Sequence, residues 1–77
     1  MDISRIRKGL TVKTADTLGT TMGFIMDPSF KTARRSAAVG QVVNYVPGHG
    51  GDVWYVQHND DGQIAAYAYN EFSEFRP

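Results

Sequence analysis

The segment from Val39 to Phe72, VGQVVNYVPGHGGDVWYVQHNDDGQIAAYAYNEF, limits the folds open to this chain more than any other part of it. It reads as three short strands separated by two strong turn signals, and it carries six of the nine aromatic residues. Gln41 to Val46 is stopped by Pro47, whose nitrogen has no hydrogen to give to a ladder. Val53 to His58 follows, and Asn59-Asp60-Asp61-Gly62 reverses it, because glycine accepts the positive φ that a tight reversal needs. Gln63 to Tyr69 is the next strand. Asn70-Glu71-Phe72 then reads as a tight turn before a last short strand or tail, Ser73 to Pro77.

Upstream, Leu10 to Thr14 reads as a strand with Leu10, Val12 and Thr14 on one face. Asp16-Thr17-Leu18-Gly19 reads as a turn, and Thr21 to Met26 as a second strand stopped by Asp27-Pro28. Helical periodicity is poor. The helix candidates are Asp2 to Lys8 and Phe30 to Ala38, and the second reads equally well as a long basic loop.

Five short antiparallel strands and one long loop predict an all-β fold closed into a small barrel, since closure removes exposed strand edges. A small SH3-like barrel of about five antiparallel strands fits their number and spacing. An OB-type barrel is the alternative, although it calls for a longer chain and a helix before the fourth strand. At 77 residues a single domain spanning 1–77 is expected. A chain of this size buries only about 60% of its unfolded surface. There is no cysteine, which excludes disulfides and thiolate metal sites. Subunit association is the remaining support for a small core, so a homo-oligomer is expected.

Net charge is zero but unevenly placed: residues 1–38 hold seven Lys/Arg and three Asp/Glu, and residues 39–77 hold one Arg and five Asp/Glu. A basic half closing on an acidic half accounts for this, and so does a basic face for nucleic acid. A nucleic-acid binder usually has a basic balance overall, which this chain lacks. The first nine residues carry charge and no apolar run, and nothing approaches the roughly 18 apolar residues of a spanning helix. A cytoplasmic location away from membranes is the simplest expectation.

For chemistry, the loop Pro47-Gly48-His49-Gly50-Gly51-Asp52 places a histidine among glycines. Glycines allow close approach of a ligand or another chain. His49 could contact a ligand, donate a proton or bind a metal, with Asp52 orienting it; a hairpin tip with a water-facing histidine needs the same residues. As a phosphate cradle the loop lacks the following helix and Lys-Ser/Thr. His49, His58 and Asp52 offer at most three metal ligands with nothing to bring them together, so no metal site is assigned. Ser29, Ser36 and Ser73 have no neighbouring histidine, and the acidic pairs fall in a turn and at the terminus, so no catalytic residue and no cofactor is assigned.

Period-two geometry puts Trp54, Val56 and His58 on one face of their strand, and Tyr67 and Tyr69 side by side on the next. The alanines between them suit a tight barrel interior or a close subunit contact. Tyrosine and tryptophan combine apolar area with a polar handle and recur at binding surfaces. Phe30, Lys31, Arg34 and Arg35 offer a stacking and charge combination for nucleic acid, although the acidic turns beside the aromatic strands would repel phosphate.

The run Val39 to Phe72, above all YVPGHGGDVWYV, resembles small SH3-like barrel proteins encoded on mobile integron gene cassettes of environmental bacteria. A more distant likeness is to the plasmid-borne, trimethoprim-resistant type II dihydrofolate reductases, small barrels that work as tetramers around one pore. Gly40-Gln41-Val42-Val43 matches that family's turn into a strand, and Gly62 with Tyr67 its glycine-led strand ending in tyrosine. The family's pore run Val-Gln-Ile-Tyr reads Ile64-Ala65-Ala66-Tyr67 here, which keeps the tyrosine and loses the amide and the isoleucine. The resemblance implies an oligomeric barrel associating around this strand. The expectation is therefore a binding module that holds a small ligand or a protein partner through His49, Asp52, Trp54, Tyr67 and Tyr69. A nucleic-acid-binding barrel and a small oligomeric enzyme stand as alternatives.

Overall fold

The computed structural model describes residues 2–18, 28–47 and 52–76. Within them the alternation of the sequence becomes one antiparallel sheet. Its strands are β1 (Thr11–Thr14), β2 (Val39–Val46), β3 (Val53–His58), β4 (Ile64–Tyr67) and β5 (Phe72–Glu74), arranged in the order β4-β3-β2-β1-β5. The expected meander is β2, β3 and β4, and the terminal segment forms β5 by returning beside β1. The fold is all-β. The strand expected over residues 21–26 lies outside the described residues.

Both helix candidates shrink. Asp2 caps a single 3-10 turn, Ile3–Arg5, its carboxylate accepting the Ser4 N–H at 3.1 Å. The second candidate yields only α1 (Pro28–Thr32), followed by an irregular stretch to β2. Segments this short gain too few hydrogen bonds to repay helix nucleation and depend on packing.

Strand register turns alternation into rows of core side chains, since directly opposed residues share a face. Val12 opposes Gly40, which opposes His58; Val42 opposes Val56, which opposes Ala65. Trp54 stands between Tyr45 and Tyr67. A Cβ at Gly40 would lie 2.4 Å from the Gln57 carbonyl oxygen, so β2 and β3 approach this closely only because residue 40 has no side chain. A register shift between Val42 and Asn44 then inverts the parity of β2. Plain alternation would carry Asn44 to the core face, whereas the bulge carries Tyr45 there instead.

β4 is covered on both sides, and Ala65, Ala66 and Tyr67 are fully buried. On the outer side Phe30 of α1 packs its ring 4.5 Å from that of Tyr55, the residue paired with Ala66. Beyond α1, Arg34 donates to the Ala66 carbonyl at 3.2 Å and reaches the Glu71 carboxylate at 2.5 Å. Arg35 binds Asp60 at 2.6 Å and Asp61 at 3.1 Å, and Arg5 lies 3.5 Å from Glu74. Each of these pairs joins the basic half of the chain to its acidic half, and together they engage three of the seven cations of residues 1–38.

Candidate functional site

The bulge in β2 has a consequence at one end of the sheet. Tyr45, 47% exposed, lays its ring 5.1 Å from that of Trp54. Trp54 in turn meets Phe72 edge-on at 6.2 Å, which anchors it in the core. The N-terminal turn runs past these rings and brings Ile3 and Ile6 to the opposite wall. Together they enclose an open cavity of about 410 Å³, with Val42 and Asn44 from β2 and with Arg7 and Lys8 at its rim. The lining is mainly apolar and the polar groups are few, which is how small-molecule sites are built.

The rim has defined geometry. The Leu10 N–H donates to the Arg7 carbonyl at 3.1 Å, and the Gly9 N–H to the Val42 carbonyl at 2.7 Å. Gly9 sits at φ 91°, a conformation a side chain would strain. Arg7 and Lys8 are thus held on a turn tied to β2. The Asp52 carboxylate lies near the Tyr45 hydroxyl. Desolvation first, and then this neighbouring carboxylate, push the tyrosine above its ordinary 10.0.

The five residues singled out from sequence fall in different places. Trp54 lines the cavity, whereas Asp52 does not. His49 lies outside the described residues. Tyr67 is 0% exposed and presents no surface to a ligand or partner. Tyr69, 47% exposed, does not share a strand face with it: β4 ends at Tyr67, and Tyr69 opens a 3-10 turn, Tyr69–Glu71. Sequence reasoning missed Tyr45, Ile6, Arg7 and Lys8. The apolar pair Ile3/Ile6, one helical turn apart, was a signal that this segment packs, but nothing local said against what.

The basic stretch offered for nucleic acid is largely engaged. The Arg34 side chain is 9% exposed and pairs with Glu71, Arg35 is held by two aspartates, and Phe30 packs against Tyr55 with the rings tilted at 42°. A second polar cluster lies inside the fold. His58 Nε2 is 2.7 Å from the Tyr67 hydroxyl, and that hydroxyl also accepts the Arg35 N–H at 2.9 Å. His58 Nδ1 has no hydrogen-bond partner and lies 4.0 Å from Asp61. Burial, then the nearby Arg35 charge, lower the imidazole from its ordinary 6.5. Histidine beside tyrosine is an arrangement that can move protons, but both residues are sealed from solvent, at 1% and 0% exposure. The dyad ties the 33–38 stretch to β4.

Among the described residues no three His, Asp or Glu side chains converge as a metal site, and no helix is long and apolar enough to cross a membrane. No protein-family model, curated protein or solved structure matches the chain.

Proposed function

We propose that this chain is a small SH3-like barrel that acts by binding, with its ligand site in the cavity between the N-terminal turn and the β2–β3 face. Two features support the barrel reading. The last strand returns beside the first, and one 3-10 turn links the two edge strands, so the sheet curls toward closure. The observation that carries the binding reading is the cavity of about 410 Å³ floored by Trp54 and Tyr45, within the usual range for ligand pockets.

The alternatives have specific observations against them. A reductase of the type II kind would use Ile64 to Tyr67 as a pore surface, yet Ala65, Ala66 and Tyr67 are buried within one chain. Homo-oligomerisation by pairing at β4 would need an edge acceptor that Arg34 already occupies at the Ala66 carbonyl. A subunit contact through Ile3, Tyr45 and the cavity mouth is the form of association the surface favours.

The test is a fragment screen by nuclear magnetic resonance on the full chain. Binders should shift the indole N–H of Trp54, the single tryptophan. Tyr45→Ala, at an exposed position, should abolish those shifts while leaving the spectrum dispersed. Shifts that cluster instead on Tyr69 or Lys31 would move the site elsewhere. Light scattering on the same samples reads the association state.

A further inference from the structure

We infer that the ligand of this cavity is a small carboxylate with an aromatic or aliphatic body, its apolar part against Trp54 and Tyr45 and its anionic group between Arg7 and Lys8. The inference rests on the cavity being the binding site, but its observations are separate. Arg7 and Lys8 are consecutive and both line the cavity, while no Asp or Glu does. Neither has a carboxylate within ion-pair distance among the described residues, in contrast to Arg5, Arg34 and Arg35, which are paired with Glu74, Glu71 and Asp60. Glu74, the carboxylate that feels the Arg7 charge, is itself engaged by Arg5 at 3.5 Å and by Arg76 at 3.1 Å. The site therefore joins an apolar floor to two cations that form no ion pair among the described residues.

The chemistry favours a carboxylate. A guanidinium fork matches a planar carboxylate through two parallel hydrogen bonds. The floor is apolar and aromatic apart from Asn44, which suits one ring or a short branched chain better than the several hydroxyls of a sugar phosphate. The two cations ride on a turn fixed by the Gly9 and Leu10 backbone bonds, so the backbone needs no ordering on binding and only the two side chains do.

The experiment titrates phenylacetate, phenylacetamide and phenethylamine into the full chain and follows the Trp54 indole N–H resonance. These share one ring and differ in charge. Phenylacetate should bind saturably and at least about tenfold more tightly than the amide, a difference of about 1.4 kcal/mol. The preference should vanish in Arg7→Gln/Lys8→Gln, with amide dispersion and weak binding of the uncharged amide retained. Equal binding of acid and amide, tighter binding of the amine, or a preference that survives the double substitution overturns the carboxylate assignment and leaves the binding site standing. No saturable response to any of the three overturns the site and the assignment together.

Discussion

Ala37 holds φ 51°, in the left-handed region where a Cβ crowds the following carbonyl. It stays there because its N–H donates to the Ala15 carbonyl at 3.0 Å and the next N–H, of Ala38, donates to the Thr14 hydroxyl at 2.8 Å. Glycine is free of that clash, so Ala37→Gly should stabilise the chain by about 1 kcal/mol, seen as a higher urea midpoint at unchanged slope. Gly40 is the opposite case. The obstacle to a side chain there is the Gln57 backbone oxygen, which cannot rotate away as a side chain could. Gly40→Ala should cost about 1–3 kcal/mol, and a variant as stable as the parent would contradict the close approach of β2 and β3. Neither position announces itself in the sequence: Ala37 reads as a good helix former, and Gly40 as an ordinary weak point in a strand.

At the scale of elements, β4 is held by chemistry that its own residues do not contain. Arg34 bonds its edge carbonyl and Glu71 accepts the Ala68 N–H at 2.9 Å, while the two side chains, 9% and 10% exposed, pair with each other. Removing one partner leaves a buried charge alone. Arg34→Met should therefore cost about 3 kcal/mol, whereas Arg34→Met/Glu71→Leu should cost clearly less than the two single changes combined. A double-mutant cycle from denaturant melts measures the coupling, and additive costs would mean that the pair is not a unit. The meander itself was legible from its turns: Asn59-Asp60-Asp61-Gly62 reverses the chain with Gly62 at φ 73°, and β3 runs over the expected residues. The limits of β4 were not legible, because the change from strand to 3-10 turn at Tyr69 follows from Glu71 bonding back to the Ala68 N–H.

For the whole molecule, pH probes how the halves are joined. The folded imidazole of His58 lies below its ordinary 6.5, so as pH falls through 6.5 the unfolded chain takes up more protons than the folded one. Stability from this group is complete above that value and declines below it. The carboxylates of Glu74 and Asp60, lowered by hydrogen bonds from Arg76 and Arg35, stay ionised in both states until pH nears their ordinary 4.5 and 3.8. Between about pH 7 and 5 the melting temperature should therefore fall chiefly through His58. His58→Gln should flatten that interval and leave the acid limb intact, and an unchanged slope in the variant would assign the effect to another group.

The all-β class and the three-strand meander were legible in the sequence alone, and the charge asymmetry was visible there with two readings open. Turn residues, proline stops and charge are local properties, visible one residue at a time. Which aromatics line the cavity and which are sealed in the core depends on tertiary contacts. The bulge after Val42 inverts the parity of β2 and lifts Tyr45 over Trp54, while the covering stretch around Arg34 and Arg35 buries Tyr67. The N-terminal turn completes the cavity from about forty positions away in the chain, and no period within β2 or β3 carries that contact. Burial and proximity are set by register between distant segments, which alternation along one strand cannot encode.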